Sequence, residues 1–152
     1  MPSKRKKRQP KKKTRLKEIE VGCAVIYRRG KLLISQRRPG DSLGGYWEFP
    51  GGKRDGDETF EACIAREVLE EMGVCVRANR LIHSVTHRYP GRHIHLKFYV
   101  CEFLSGDIVF HEVMNAQWVA LKDLKKHLFP PADRDLISDL VERRSFYFGE
   151  AC

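Results

Sequence analysis

Beyond the first 17 residues, apolar positions follow strand-like and helix-like spacings in successive blocks. Residues 18–38 contain two runs of β-branched and aliphatic residues separated by an Arg-Gly pair, which is typical of a β-hairpin. Residues 39–57 are rich in Gly, Pro and Asp and predict a loop, apart from a short extended piece at residues 46–49. A long loop in a compact domain is usually functional.

The next block predicts a helix from about Glu58 to Met72. Asp57 and Thr59 are both plausible caps at its start, and Gly73 is suited to end it. Apolar residues at helical spacing predict a buried stripe made of Ala62, Ala65, Leu69 and Met72.

Three carboxylates, Glu67, Glu70 and Glu71, share one face of this helix, on the side predicted to point away from the stripe. Like charges one turn apart repel each other, so the cluster favours a bound cation. Mg²⁺ is bound by a few carboxylates and waters, which this cluster could supply, whereas three acids at this spacing taken alone are also typical of an ordinary solvated helix face. Gly51 and Gly52 precede the helix, where a side chain would obstruct close approach of the backbone to metal or phosphate.

The remainder of the chain alternates again between strand and helix patterns. Residues 74–104 hold β-rich runs on both sides of a Tyr-Pro-Gly-Arg turn, and residues 106–121 predict two further short extended segments. A second helix is predicted from about Asp133 to Arg143, after a Pro-Pro pair. These elements together predict an α/β fold with helices packed on a mixed sheet.

Charge is distributed unevenly along the chain, which has 152 residues and a formal net charge of +9. Residues 1–17 hold ten of the 29 Lys and Arg residues and no acid, so the excess positive charge belongs to this segment. We expect a disordered polybasic tail at residues 1–17, one domain at residues 18–145 and a C-terminal tail at residues 146–152. The basic tail is either a solvated extension or a weak binder of polyanions.

Other features of the composition narrow the expectations further. No apolar run approaches 18 residues and no secretory signal is recognisable, so we expect a cytoplasmic protein without a membrane span. The sequence does not indicate the oligomeric state, and a monomer is the working assumption. The five cysteines form no C-x-x-C pair and are expected to be reduced thiols. His93 and His95 fall on one face of a strand, but no acid or cysteine has a matching spacing. We therefore interpret them as strand residues at the edge of a substrate cleft.

Residues 51–74 read GGKRDGDETFEACIAREVLEEMGV, which resembles the Nudix box, G-x5-E-x7-R-E-U-x-E-E-x-G-U with U a bulky apolar residue. The positions that match are Gly52, Glu58, Arg66, Glu67, Glu70, Glu71, Gly73 and the apolar Val68 and Val74. This resemblance implies a divalent-metal-dependent hydrolase of nucleoside diphosphate-linked substrates, folded as an α/β/α sandwich around a central mixed β-sheet. Within the family, GGYWEFPGGK, YPGRHIHLKFYV and FPPAD resemble segments of the MutT group of oxidised-nucleotide pyrophosphohydrolases.

The resemblance also implies roles for individual residues. The Gly51 carbonyl, Glu67 and Glu71 would bind metal, with Glu70 assisting a further ion and Glu112 reaching the site from a loop. Glu67 would polarise the attacking water. Arg66 and Glu58 would form the pair that orients this arrangement. The expected cofactor is Mg²⁺, with Mn²⁺ as a substitute.

On the substrate side, the resemblance implies that Arg37 meets the phosphates, that Arg92 lies nearby and that Phe49 lines the base pocket. Asp133 departs from the Asn that follows F-P-P-A in the bacterial enzymes most specific for 8-oxo-dGTP. An ionised Asp only accepts hydrogen bonds, so it favours base edges that offer N–H groups. Both the N7–H of 8-oxoguanine and the amino group of cytosine satisfy this condition. A purely structural alternative is that Asp133 caps the last helix.

The sequence therefore predicts a nucleoside triphosphate pyrophosphohydrolase, with 8-oxo-dGTP as the first candidate substrate. An enzyme acting on CTP or modified cytosine nucleotides, or broadly on dNTPs, is the alternative within this class. A module that binds oxidised guanine, similar to the C-terminal domain of adenine DNA glycosylases, is the alternative of another class. A Nudix domain that cleaves an RNA end, directed there by the basic tail, is also open.

Overall fold

A computed structural model describes residues 15–149. Most of the predicted polybasic tail and the last three residues lie outside the described part. The strands are β1 (Lys17–Arg28), β2 (Lys31–Gln36), β3 (Trp47–Glu48), β4 (Gly51–Lys53), β5 (Cys75–Tyr89), β6 (Arg92–Ser105) and β7 (Asn115–Ala120). The helices are α1 (Phe60–Met72), α2 (Arg134–Glu142) and α3 (Arg144–Phe148), with 3-10 turns at Leu121–Lys126 and Pro131–Asp133.

All seven strands form one sheet. Its main path runs β3-β2-β1-β6-β5, with β4 paired to β1 and β7 paired to β2. Strands β1 and β6 are parallel, whereas the other pairs are antiparallel. The predicted mixed sheet and the two predicted hairpins, β1-β2 and β5-β6, are therefore confirmed.

Each face of the sheet packs against helix, as the sandwich fold requires. Along β1, Ala24 and Ile26 point into the core beneath α1, and Cys23 and Val25 point into the core beneath α2. A Cβ at Gly22 would lie 2.8 Å from Cγ1 of Ile64, so α1 packs directly on the backbone of β1. Strand β2 likewise divides its buried aliphatic residues between the two cores.

The buried stripe of α1 differs from the predicted one. Its buried residues are Cys63, Ile64, Val68 and Met72. Ala62 is exposed and Leu69 is 48% exposed, so only Met72 of the predicted stripe is fully buried. The sheet instead covers the face that carries Cys63, Ile64 and Val68, and Leu69 lies outside this contact. The buried face is consequently rotated toward Glu67 and Glu71, which border it instead of lying opposite to it.

The segment before β7 is the second correction. Residues 106–121 were expected to hold two extended segments, but only β7 is a strand. The backbone N–H groups of Val109 and His111 instead donate to the carbonyls of Met72 (2.9 Å) and Glu71 (3.1 Å). The polar groups of this segment are thus satisfied by the last turn of α1, not by a neighbouring strand.

The ends of the folded part also differ slightly from the expected boundaries. Strand β1 already begins at Lys17, and α3 continues the fold past residue 145 with Tyr147 buried. Tyr27 stacks on Phe148 with ring centroids 4.3 Å apart, which ties α3 to the sheet. In the described residues, no helix combines the length and apolar character that crossing a membrane requires.

Candidate active site

Helix α1 is delimited by the residues that its sequence predicts. The Thr59 hydroxyl accepts from the N–H of Ala62 at 3.1 Å, so Thr59 is the N-cap and Asp57 is not. Gly73 ends the helix in the left-handed conformation (φ 69°), and its N–H donates to the Leu69 carbonyl at 2.9 Å. The helix therefore fixes the relative directions of the Glu67, Glu70 and Glu71 side chains around its axis.

Strand β4 brings the glycine pair against the helix. Gly51 and Gly52 pair with Cys23 and Gly22 of β1. A Cβ at Gly52 would lie 2.3 Å from Cδ of Glu67, and a Cβ at Gly51 would lie 1.9 Å from the carbonyl oxygen of Gly22. Any side chain at either position would displace its neighbours, so glycine is required for Glu67 to lie against the strand.

Glu71 is the most perturbed carboxylate of the site. Its Oε2 atom is buried and has no hydrogen-bond partner. Burial raises the pKa of Glu71 to about 8, and the negative charges of Glu48 and Glu67 add to this effect. An unpartnered buried carboxylate oxygen beside other carboxylates fits the binding of a divalent cation, which would relieve both the burial and the repulsion.

Arg66 links the remaining box acids. Its guanidinium donates to Glu58 (2.6 Å from Nη2 and 3.1 Å from Nε) and to Glu67 (2.9 Å from Nη1), with Glu70 at 3.4 Å. The Arg66 hydrogen bonds, aided by the N–H of Asp55, lower the pKa of Glu58 to about 2. Burial raises the pKa of Glu67, although Arg66 opposes this effect. The predicted Glu58–Arg66 pair is therefore present and holds Glu67 in place.

Glu112 approaches the box from the loop that follows β6. Its backbone N–H points at the Glu71 carbonyl (3.4 Å), and its negative charge contributes to the raised pKa values of Glu67 and Glu71. The loop thus brings a fourth carboxylate near the helix. Among the described residues, however, only Glu18, His93 and His95 have three ligand atoms within 4.8 Å of one another, so the box carboxylates stand further apart.

Glu48 is a site residue that sequence reasoning missed. It accepts from Nη1 of Arg37 at 3.0 Å, and burial raises its pKa. Its charge also raises the pKa values of Glu71 and Asp133, so it lies between the box and the substrate-side residues. An acid between two buried aromatic residues, Trp47 and Phe49, is the sequence signal that could have identified it.

The other substrate-side residues lie in different environments. Phe49 is 4% exposed and packs between Phe98 and Phe129, with ring centroids 5.9 Å and 5.3 Å away. Burial, followed by the charge of Glu48, raises the pKa of Asp133 to about 6. The Asp133 side chain makes no capping hydrogen bond to α2, so the alternative that it caps this helix is wrong.

Arg92 lies apart from these residues, at the turn between β5 and β6. Its guanidinium stacks over Tyr89, 5.1 Å from the ring centroid. In β6 it precedes Phe98 by six residues, or about 20 Å of extended strand. A cavity of about 330 Å³ beside Phe129, lined also by Lys125, His127 and Arg134, contains none of the box residues. Neither Arg92 nor this cavity is part of the carboxylate cluster.

The described cysteines agree with the expectation of reduced thiols. Cys23, Cys63 and Cys101 are buried, Cys75 is exposed, and all four are free. Burial raises the pKa of the Cys63 thiol to about 11 and that of Cys101 to about 12. Buried thiols that stay protonated are poor nucleophiles, so Cys23, Cys63 and Cys101 are packing residues.

Comparison with known proteins identifies the family of the chain. The model of the NUDIX domain matches residues 22–139. The chain is 32% identical over 130 residues to a CTP pyrophosphohydrolase of Escherichia coli (86% of this chain, 96% of that protein). It is 30% identical over 126 residues to an 8-oxo-dGTP diphosphatase of the same organism (82% and 98%).

A solved structure gives the same result for the fold. The solution structure of the Escherichia coli ORF135 protein superposes with a TM-score of 0.75 at 31% identity, covering 89% of this chain and 96% of that one. The matched region contains the whole box, its glycine pair, Glu48 and Asp133. The chain therefore belongs to the Nudix family of divalent-metal-dependent hydrolases.

Proposed function

We propose that this chain is a Mg²⁺-dependent nucleoside triphosphate pyrophosphohydrolase that converts 8-oxo-dGTP to 8-oxo-dGMP and pyrophosphate. The observation that carries the proposal is a row of acidic residues that extends from the Nudix box to Asp133. In this row the negative charge of Glu48 raises the pKa values of both Glu71 and Asp133. The Glu71 end suits a cation and phosphates, and the Asp133 end suits a base that offers N–H groups. In this proposal both ends belong to one continuous site.

The metal ligands in this proposal are the Gly51 carbonyl, Glu67 and Glu71, with Glu70 and Glu112 available for further ions. The unpartnered Oε2 of Glu71 and the close approach of Gly52 to Glu67 support this assignment. All these donors are oxygens, which suits Mg²⁺ and also Mn²⁺. When bound, the cation neutralises charge that develops on the phosphoryl oxygens.

Glu67 acts as the general base in the proposed reaction. Burial raises its pKa toward the range in which a carboxylate accepts a proton effectively, and Arg66 fixes its orientation. A water molecule gives its proton to Glu67 while its oxygen bonds to the β-phosphorus. The bond from that phosphorus to the oxygen bridging to the α-phosphorus breaks, which releases the monophosphate and pyrophosphate.

Arg37 and Asp133 provide substrate contacts in the proposal. Arg37 is held by Glu48 and by the Ser42 carbonyl (2.6 Å from Nε), which orients its guanidinium for a phosphate. Asp133 is ionised at neutral pH, because even its raised pKa is about 6. Its carboxylate would accept from the N7–H of 8-oxoguanine and repel the N7 lone pair of guanine. Arg92, at its distant hairpin turn, is outside this set of contacts.

A cytosine nucleotide is the second candidate substrate. Asp133 would accept from the exocyclic amino group of cytosine as readily as from N7–H. The relative named CTP pyrophosphohydrolase aligns with this chain over 96% of its length, which also favours a cytosine nucleotide as the substrate. Both substrates use the same carboxylates for hydrolysis and differ only at the base side.

Parallel measurements of kcat/KM with Mg²⁺ for 8-oxo-dGTP, dGTP and dCTP test the proposal. A preference for 8-oxo-dGTP of at least about a hundredfold over both supports it, since a donor-matched site rejects a mismatched base strongly. A preference for dCTP replaces it with the cytosine candidate. Turnover of none of the three overturns the pyrophosphohydrolase assignment.

Glu67→Gln provides the mechanistic control. The variant should fold and lose kcat by about three orders of magnitude or more, because a general base and a metal ligand are removed together. Glu102→Gln is the matched control, since Glu102 pairs with Arg77 on the sheet surface (2.6 Å) away from the box. Near-normal turnover by folded Glu67→Gln would remove Glu67 from the mechanism.

We also propose weak, nonspecific attraction of residues 1–17 to polyanions. Their ten basic residues and lack of acids support this, although residues 1–14 lie outside the described part of the chain. Retention on heparin should fall steeply with salt and should be lost when residues 1–14 are removed. Hydrolysis of a small nucleotide should not change in the shortened protein.

A further inference from the structure

We propose that Glu18, His93 and His95 form a binding site for one Zn²⁺ ion, separate from the hydrolytic site. Their ligand atoms all lie within 4.8 Å of one another. Two imidazoles and one carboxylate are a ligand set that zinc uses when its fourth position is left to water. This site has no part in the hydrolysis proposed above.

The parallel pairing of β1 and β6 creates the cluster. Glu18 is the direct register partner of His93, and His95 follows two residues later on the same face of β6. The sequence separates Glu18 from these histidines by more than 70 residues, so spacing along the chain gave no hint of the acid. The acid that the local spacing of the sequence did not offer is supplied by the neighbouring strand β1.

The ligand atoms of Glu18, His93 and His95 already lie close to one another. Nδ1 of His93 lies 3.2 Å from Oε1 of Glu18, and Nε2 of His95 contacts Oε2 of the same carboxylate. Zinc bonds of about 2.0–2.1 Å in a tetrahedron place neighbouring ligand atoms roughly 3.3 Å apart. The contact between Glu18 and His93 already has that spacing, and zinc binding would require the other ligand atoms to adjust by side-chain rotation.

Thr86 provides an independent indication. Thr86 lies on the neighbouring strand β5, and its Oγ1 is 2.9 Å from Nδ1 of His95. In the metal-free protein, Nε2–H of His95 donates to the Glu18 carboxylate, so Nδ1 of the neutral ring accepts from the Thr86 hydroxyl. On zinc binding the tautomer would reverse, with Nδ1–H donating to Oγ1 of Thr86 and the Nε2 lone pair free for the ion. Metal-binding histidines almost always have such a partner on the second ring nitrogen, and it fixes both tautomer and ring orientation.

The cluster is distinct from the box carboxylates. Glu18 precedes Gly22, the partner of Gly52, by four residues of β1, or about 13 Å. Between them lies Glu20, whose carboxylate is bound by Arg54 and is not available as a ligand. Donor chemistry separates the sites as well, since imidazoles favour zinc and all-oxygen sites favour magnesium.

Binding of Zn²⁺ would join the start of β1 to the β5-β6 hairpin. The parallel ladder of β1 and β6 already joins these elements, and the Lys17 N–H also donates to the Gly91 carbonyl (3.0 Å), so the ion would add a side-chain link at the outer end of the ladder. The ion would therefore stabilise the point at which the basic segment enters the fold. Its expected effect is on stability and not on the chemistry of hydrolysis.

Calorimetric titration of the full chain with Zn²⁺, in saturating Mg²⁺, tests the inference. We expect one Zn²⁺ per chain, at least tenfold weaker binding in Thr86→Val, and loss of the site in His95→Ala and Glu18→Gln. Glu67→Gln and His87→Ala should retain it, because His87 lies on the same hairpin but packs on Tyr89. Cys75→Ser should also retain it, which separates the site from the exposed thiol.

Imidazole ¹⁵N NMR of the intact protein gives a second readout. Zinc should shift Nδ1 of His93 and Nε2 of His95 and leave His87 unchanged. If no tight Zn²⁺ binds, or if His87→Ala weakens binding as much as His95→Ala, the inference is overturned. The cluster would then be a histidine–carboxylate ion pair only.

Discussion

Replacing Glu71 by Gln should make the metal-free protein more stable at alkaline pH while it abolishes hydrolysis. Burial and the charges of Glu48 and Glu67 raise the pKa of Glu71 to about 8 in the folded state. The folded protein therefore binds a proton that the unfolded chain releases near pH 4.5. Between pH 4.5 and about 8 the unfolded chain is deprotonated while the folded protein keeps its proton, so the free energy of unfolding falls as pH rises through this range.

The size of the effect follows from the pKa change. Moving a pKa from 4.5 to about 8 corresponds to at most about 5 kcal/mol, at roughly 1.36 kcal/mol per pH unit. Water reaches part of the Glu71 side chain, so we expect about 2–4 kcal/mol. A neutral Gln resembles the protonated acid and has no such dependence. The variant should match wild type near pH 5 and exceed it near pH 9.

Urea unfolding at pH 5, 7 and 9 in the presence of EDTA measures this difference. Glu70→Gln is the matched control, because the Glu70 side chain is 49% exposed on the same helix and its replacement should leave the pH dependence unchanged. Saturating Mg²⁺ should restore wild-type stability at pH 9, by about 2.7 kcal/mol at a hundredfold excess over Kd, and should do much less for Glu71→Gln.

The result that would refute this reasoning is a parallel decline of wild type and Glu71→Gln between pH 5 and pH 9. It would mean that the folded state leaves Glu71 with an ordinary pKa. The buried, unpartnered Oε2 would then be satisfied by water, and the argument for a cation at this position would be lost.

Three further predictions concern other parts of the site. Gly52→Ala should lower kcat by about a hundredfold, measured by pyrophosphate release, because its Cβ would meet Glu67 at 2.3 Å. Thr59→Ala should lower the free energy of unfolding by about 1 kcal/mol in urea, because it removes the N-cap of α1. The ratio of kcat/KM for 8-oxo-dGTP to that for dGTP should fall as pH drops through about 6, where Asp133 gains a proton, and Asp133→Asn should abolish this step.

The sequence alone determined the parts of the protein that depend on local chemistry. The spacing of the box placed Glu67, Glu70 and Glu71 on one helix face, and the end of α1 at Gly73 followed from the backbone freedom of glycine. The β1-β2 and β5-β6 hairpins followed from apolar runs around turn residues. These features are set by neighbours within a few residues, which a sequence displays directly.

Burial was decided only by the tertiary structure. Leu69 is exposed and Val68 is buried because the sheet, not the helix, selects which face of α1 it covers. The same choice brings Glu71 to the edge of the core and raises its pKa. Residues 107–112 form no strand because the carbonyls at the end of α1 were free to accept their N–H groups.

The juxtaposition of distant residues was likewise beyond the sequence. Glu48 meets the box because the short strand β3 lies beside β2, and Glu18 meets His93 because β1 and β6 pair in parallel. Register between strands far apart in the chain is fixed by the packing of the whole sheet. The sequence therefore determined which chemical groups the chain carries and their local conformation, whereas the sheet determined which of them meet.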